Sequence, residues 1–355
     1  VDRTEELLER GRLDVATQAG SVGVTEAWLR IGSRPVLVRV VGRDLARRLL
    51  APVGHLALSR PAGPPALTIS CWSSTGEPGL ASLLPGTGDR PTPVRYADLR
   101  DGRCLMAWPT ERLVEAYEDR DGRREGWWWV PDVEAVPTAE LAMPFRPILH
   151  WWTDAEGLSM IHAAAVGTVD GGAVLLGGVS GSGKSTTSLW SLRSPRLRFL
   201  GDDYVLVDPT PPATVFSLYT TAKIHEPDQG RVPHVRAEIV GRQEADKLVA
   251  FLGRRYADRI VERLPLRAIL LPRRTATGPA ITPIGPSEAL RRLGPSTVLQ
   301  FPGPRPQRSL AALRALARSL PSFDLALGPD PAATPAAIED FLAGSAASAP
   351  PQPGR

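Results

Sequence analysis

The residues Gly178-Val179-Ser180-Gly181-Ser182-Gly183-Lys184-Ser185 match the pattern G-x-x-x-x-G-K-[ST] in full, and Thr186 follows. Each position has a chemical reason. Gly178, Gly181 and Gly183 allow the positive φ angles that turn successive backbone N–H groups inward around phosphate oxygens. A helix opening at Lys184 adds its N-terminal dipole. Lys184 reaches the β/γ-phosphates as a compact charge, and the Ser185 hydroxyl suits Mg²⁺. With lysine so rare in this chain, a full chance match is unexpected, and residues 178–186 are read as a nucleotide-phosphate site.

Eighteen residues past Lys184, Gly201-Asp202-Asp203 closes an apolar run. Two adjacent carboxylates beside a phosphate loop permit a division of labour: one holds a metal and the other accepts a hydroxyl proton. Turn or cap aspartates are the structural alternative. His162 lies 22 residues before Lys184, on a strand expected to pair with the phosphate-loop strand. It is read either as a core histidine or as a member of the site.

These groups need elements to hold them. Residues 161–166 read as a strand, 170–172 as a hairpin turn, 173–176 as a second strand and 184–192 as a helix. Residues 198–200 and 204–207 bracket the aspartates as strands. Residues 266–271 read as a buried strand ended by Pro272. Helices are expected over 288–293 and 310–320, and from Thr334-Pro335 to Gly344. Upstream, 3–10 reads as a short polar helix and 34–41, 66–72, 103–108 and 126–130 as strands. Asp44 is expected to cap a helix over 45–50. The run Trp127-Trp128-Trp129 is either a buried strand or a peptide-docking surface. The expected organisation is a strand-rich domain over 1–145, an α/β phosphate-loop domain over 146–344 and a disordered tail over 345–355. No internal repeat is visible.

Composition removes several classes. The 355 residues carry 42 Lys+Arg against 38 Asp+Glu, a net charge of +4, too mild to argue for nucleic acid. Cys71 and Cys104 make neither a disulfide framework nor a zinc site. No apolar run is long enough to span a membrane and no signal pattern is visible, so a soluble cytoplasmic protein without membrane partners is expected. Among the 42 cations only Lys184, Lys223 and Lys247 are lysines. Lysine and arginine are not interchangeable, so the three are worth following. Lys247, in a Glu-Ala-Asp-Lys context, reads as charged surface.

Ile161-His162-Ala-Ala-Ala-Val, the 178–186 loop and Leu200-Gly-Asp202-Asp203-Tyr204 together make the chain resemble the HPr serine kinase/phosphorylase family, whose fold is shared with bacterial-type phosphoenolpyruvate carboxykinase. The resemblance covers roughly 145–330 and is strongest over 160–207. The stretch Phe216-Ser-Leu-Tyr-Thr-Thr-Ala-Lys223 resembles HPr-kinase-like proteins of peptide natural-product pathways, lasso peptides among them. The resemblance implies an α/β phosphate-loop kinase using ATP and Mg²⁺ to phosphorylate a serine or threonine hydroxyl of a peptide or protein. It implies Asp202 with His162 as the base, Ser185 and Asp203 for the metal, and Lys184 for the phosphates. Arg273, with Arg274, stands where the family carries an arginine-rich loop and is expected to stabilise the transferring phosphoryl group. Lys223 is a candidate substrate contact. The segment by which true HPr kinases engage their protein substrate has no counterpart. A small-molecule kinase and a non-catalytic nucleotide-binding regulator remain alternatives, and a homo-oligomer is compatible with all three. A transporter ATPase is disfavoured, because neither an LSGGQ-like segment nor a late Asp-Glu strand end is present.

Overall fold

The computed structural model describes residues 3–74, 96–100, 102–108, 113–134, 136, 138–244, 246–298 and 302–347. The architecture is mixed α/β, in two compact units. One is Val1–Glu156 with Phe301–Pro306, and the other is Gly157–Gln300 with Gln307–Arg355. The division falls after Glu156 rather than after residue 145. The segment expected to open the second domain is instead a helix packed on the first unit's sheet.

In the first unit, α1 (Arg3–Val22) is followed by β1 (Val24–Ile31), β2 (Arg34–Val41), α2 (Arg43–Leu50), β3 (Leu67–Ser73), β4 (Tyr96–Arg100), β5 (Arg103–Trp108), β6 (Leu113–Arg120) and β7 (Arg123–Val130). Helices α3 (Thr138–Ala142) and α4 (Arg146–Ala155) close it. The seven strands form one sheet, ordered β1-β2-β3-β7-β6-β5-β4. Helix α1 runs well past residue 10, and Val15 and Ala19 follow Leu7 and Leu8 in packing on the cluster that holds Trp72, Trp127 and Trp129. The three tryptophans at 127–129 are at most 6% exposed, so they are core and not a docking surface. Period-2 alternation puts Trp127 and Trp129 on the α1 face. Asp44 does not cap α2; Gly42 takes that position, and Asp44 pairs with Arg47 one turn on.

In the second unit the strands are β8 (Ser159–Ile161), β9 (Ala164–Thr168), β10 (Gly172–Leu176), β11 (Arg198–Gly201), β12 (Val205–Asp208), β13 (Thr214–Phe216), β14 (Thr221–His225), β15 (Ile239–Glu244), β16 (Lys247–Phe251), β17 (Arg263–Arg273), β18 (Ala280–Ile284) and β19 (Ser322–Ala326). The helices are α5 (Lys184–Ser191), α6 (Pro286–Val298), α7 (Pro306–Ser319) and α8 (Thr334–Ala347). Nine strands form the main sheet, ordered β11-β9-β10-β17-β13-β12-β8, with β19 added to β17 and β18 to β19. Strand β10 runs antiparallel to β9 and parallel to β17.

Successive side chains of β10 enter opposite cores. Leu175 joins Leu293, Leu313 and Leu316 from α6 and α7, while Val174 and Leu176 meet Ile338 and Leu342 of α8. A separate three-stranded sheet, β14-β16-β15, packs Ala222, Ile224, Leu248 and Ala250 against Leu189 and Leu192 at α5. Helix and sheet therefore sandwich the chain segment that begins with the glycine loop.

Three local expectations change. Pro272 does not end its strand: β17 continues to Arg273, pairing in parallel with β19 (Pro272 opposite Leu325). The run 161–166 is not one strand but breaks at His162 and Ala163. The Ala163 N–H donates to Ile161 O at 2.9 Å, and the His162 N–H donates to the Thr297 hydroxyl at 3.3 Å, so neither joins the ladder. Helix α8 runs past Gly344 to Ala347; the rest of the expected tail, 348–355, lies outside the described residues. Among the described residues no helix is long and apolar enough to cross a membrane.

The β9–β10 hairpin sets where the glycine loop begins, and its packing leaves no room at Gly167. A Cβ there would lie 2.4 Å from Gly172 O and 2.7 Å from Ala173 Cα, both backbone atoms. Gly167→Ala is expected to destabilise the protein by about 1–3 kcal/mol. Chemical denaturation should show this as a lower midpoint at unchanged m-value. An unshifted midpoint would mean the hairpin is looser than described.

Candidate functional site

The loop after β10 has the backbone its glycines permit. Gly178, Gly181 and Gly183 hold φ of 131°, 78° and 108°. Gly183 is the N-cap of α5 and supplies no capping side chain, so the first-turn amides of the helix face outward without an internal acceptor. Lys184 is only 8% exposed. Its Nζ donates to Gly178 O at 2.7 Å and Val179 O at 3.1 Å, so the ammonium lies inside the loop. Burial lowers its pKa; Asp203 and Asp202 oppose this, and Lys247 adds to it.

Breaks in two neighbouring strands lie opposite one another. Gly201 of β11 pairs with Ala165 of β9, and Val205 of β12 pairs with Ile161 of β8, both antiparallel. Between these pairs lie His162-Ala163 on one side and Asp202-Asp203-Tyr204 on the other. Freed from the ladder, the His162 ring meets Asp203, with Nε2 2.7 Å from Oδ1. Its ring also lies 5.3 Å from that of Tyr204. Asp203 has a second partner: Lys223 Nζ of β14 is 2.7 Å from Oδ2. Burial pushes the Asp203 carboxyl up, but Lys223 and His162 outweigh it and hold the pKa well below the usual range.

Asp202 has the opposite environment. It is 2% exposed and turned toward α5. The Ser188 hydroxyl donates to it at 2.6 Å and the Lys223 backbone N–H at 3.0 Å. Burial raises its pKa to about 6, against the pull of the Ser188 hydrogen bond; Asp203 adds to the rise, while the Lys223 amide and the Ser185 hydroxyl oppose it. The expected pairing of Asp202 with His162 is therefore not the one formed. His162 joins Asp203, and Asp202 sits with Ser185 and Ser188.

One cavity of about 140 Å³, open to solvent, gathers the glycine loop, His162 and Asp203, while Asp202 lies behind it and is not among its lining residues. Ser180, Gly181, Gly183, Lys184, Ser185 and Thr186 form its loop side. His162, Asp203, Lys223, His225, Lys247 and Arg274 face them. Gly178, Val179 and Ser182 belong to the loop but lie outside this lining. Ser180 Oγ lies 3.3 Å from His225 Nε2, and His225 Nδ1 lies 3.1 Å from Asp246 Oδ2.

Arg273 is placed elsewhere. Its guanidinium binds Asp324 Oδ2 through Nη2 at 2.9 Å, beside Arg292, and does not line the cavity. Arg274, the first residue past the end of β17, is the one that lines the cavity. Arg274 Nη2 pairs with Asp228 at 2.6 Å. Sequence reasoning also missed Lys247 and His225. The period of two along β14 could have found His225, two residues after Lys223.

The donor set fits a nucleoside triphosphate with Mg²⁺. Loop amides, an uncapped helix N-terminus and an ammonium suit a polyanion. The Ser185 hydroxyl and the Asp202 carboxylate are hard oxygen donors of the kind Mg²⁺ takes alongside phosphate oxygens.

No protein-family model matches this chain, and no curated protein sequence matches it. Among solved structures, the HPr(Ser) kinase/phosphatase from Coxiella burnetii is similar to it at 11% identity, over 52% of this chain and 95% of that one, with a TM-score of 0.28. What the cavity does is therefore read from its own residues.

Asp202 makes a pH prediction with a definite sign. Its native pKa of about 6 exceeds the ordinary 3.8, so between those values the folded state binds more protons than the unfolded state. Stability from this group then falls as pH rises from about 4 to about 6, by on the order of 3 kcal/mol. Asp203, with its pKa lowered, acts in the other direction and only at lower pH. Other buried groups, His55 and His150 among them, titrate over the same range, so the prediction is for the difference: the stability of native protein minus that of Asp202→Asn should fall by about this amount across pH 4–7. Parallel curves would refute the raised pKa.

Proposed function

We propose that this protein is an ATP-dependent kinase that transfers the γ-phosphoryl group to a serine or threonine hydroxyl of a peptide or protein, with chemistry like that of HPr serine kinases. The observation that carries this reading is the ionised Asp203 facing the glycine loop across one cavity, held by Lys223 and His162. A pure nucleotide-binding module has no need of a carboxylate so placed.

In this reading the loop amides and Lys184 take the β- and γ-phosphates. Lys184 exchanges its contacts to Gly178 O and Val179 O for phosphate oxygens. Asp202 and Ser185 would hold Mg²⁺, which would supply charge neutralisation on the phosphoryl oxygens. The acceptor hydroxyl hydrogen-bonds to Asp203. As the new O–P bond forms and the bond to the β–γ bridging oxygen breaks, the hydroxyl proton passes to Asp203 and ADP leaves. A carboxylate held at low pKa is a weak base in the ground state. It orients the hydroxyl and receives the proton once bonding to phosphorus has made it acidic. His162 fixes the carboxylate from the strand break. Arg274, in place of Arg273, is the arginine on the phosphoryl side.

The roles of the two aspartates are thus exchanged relative to those the resemblance implies. The acceptor we favour is a ribosomally made precursor peptide, on the strength of the 216–223 stretch, which delivers Lys223 to Asp203. Use of ATP and reduced, buried Cys71 and Cys104 suit a cytoplasmic setting.

Incubation with Mg²⁺, ATP and candidate acceptors, read by mass spectrometry, should give an acceptor heavier by one phosphoryl group. Asp203→Asn should lower transfer by about 10² or more while retaining nucleotide binding. Retained transfer in Asp203→Asn with loss in Asp202→Asn would return the base role to Asp202. Tight ATP binding without turnover on any peptide, protein or small-molecule acceptor would favour a regulator instead.

A further inference from the structure

All three lysines of the chain line the same cavity. Lys184 is there by its motif, but Lys223 and Lys247 come from separate strands of another sheet. In a chain whose other 39 cations are arginine, the lining of 16 residues would collect both remaining lysines by chance on the order of once in several hundred. Where codon usage or drift favours arginine, a lysine persists where a compact ammonium fits and a planar fork does not.

The register shows how Lys247 reaches the cavity. Strands β14 and β16 are antiparallel, with Lys247 directly opposite His225 and Val249 opposite Lys223. Directly opposed residues share a face, and so do residues two apart. Lys223, His225 and Lys247 therefore project from one face of the three-stranded sheet, and the alternate residues Ile224 and Leu248 pack toward α5. The sheet presents its basic face to the glycine loop. His225 touches that loop at Ser180.

The cations of this face differ in what they are doing. Lys223 is engaged with Asp203, and Arg274 with Asp228. Among the described residues, Lys184 donates to two neutral carbonyls of its own loop. Lys247 lines the same cavity as Lys184. Two like charges gathered at a helix N-terminus are relieved by a polyanion placed between them.

We propose that Lys247 is a second phosphate-binding lysine, which closes over the triphosphate from the side opposite Lys184. This deepens the nucleotide reading above and rests on it. It makes the three-stranded sheet part of the nucleotide site, with an ammonium on each side of the phosphate chain. It also gives a reason for preferring a triphosphate to a monophosphate, since only a longer anion spans both.

The test measures binding, not turnover, so it stands apart from the identity of the acceptor. Full-length native protein, Lys247→Met and Lys247→Arg are titrated with MgATP, AMP and inorganic tripolyphosphate. Lys247→Met is expected to weaken MgATP and tripolyphosphate about tenfold or more, to leave AMP within about twofold, and to keep the native thermal midpoint. Lys247→Arg should recover only part of the loss. Native-like triphosphate affinity in Lys247→Met would overturn the assignment while leaving the kinase reading intact. An equal loss for AMP and triphosphate, or a lowered midpoint that accounts for the loss, would overturn it as well. Failure of the native protein to bind any triphosphate would overturn the nucleotide reading itself, together with this one.

Discussion

The arrangement turns on two strand breaks that lie at the same level of one sheet. Backbone groups inside a ladder are committed to their neighbours, and side chains there alternate between two covered faces. Between the Gly201–Ala165 and Val205–Ile161 pairs that commitment lapses on both strands at once. The His162 N–H turns to Thr297, and the Asp202 and Asp203 side chains leave in different directions. Polar residues can stand in an otherwise apolar sheet because they occupy the interval where the sheet is not paired. Everything else converges on that interval: β10 delivers the glycine loop, α5 delivers Ser185 and Ser188, and β14 delivers Lys223.

Two adjacent aspartates acquire opposite electrostatic characters from this geometry. Asp202 faces the helix and finds only neutral donors, so burial dominates and raises its pKa. Asp203 faces the cavity and finds Lys223 and His162, so charge dominates and lowers it. Sequence adjacency conceals the difference, because it depends on which side of the chain each carboxylate leaves. The two cannot be exchanged without rebuilding the shell around each.

The glycine loop was fully legible in the sequence, because each of its positions is fixed by local backbone chemistry and by one ammonium. The hairpin before it and the helix after it were legible for similar reasons: Asp-Gly in the turn and apolar alternation in β10. What was hidden depends on long-range pairing. The break at His162 looks like an ordinary apolar strand, since Ala163, Ala164 and Ala165 carry no local signal for interruption. Arg273 and Arg274 are indistinguishable until it is known that β17 ends between them and that Arg273 pairs with Asp324. Lys247 read as surface because its neighbours in sequence are charged, whereas its position is set by pairing with His225. Pro272 looked like a terminator, yet β17 continues through it in register with β19.

The ammonium of Lys184 gives two of its three N–H donors to carbonyls of its own loop, at 2.7 and 3.1 Å. A first anionic oxygen needs only the third donor, whereas several charged oxygens presented together can also take the place of the two carbonyls. The gain from binding at this loop therefore grows with the number of oxygens an anion brings to it.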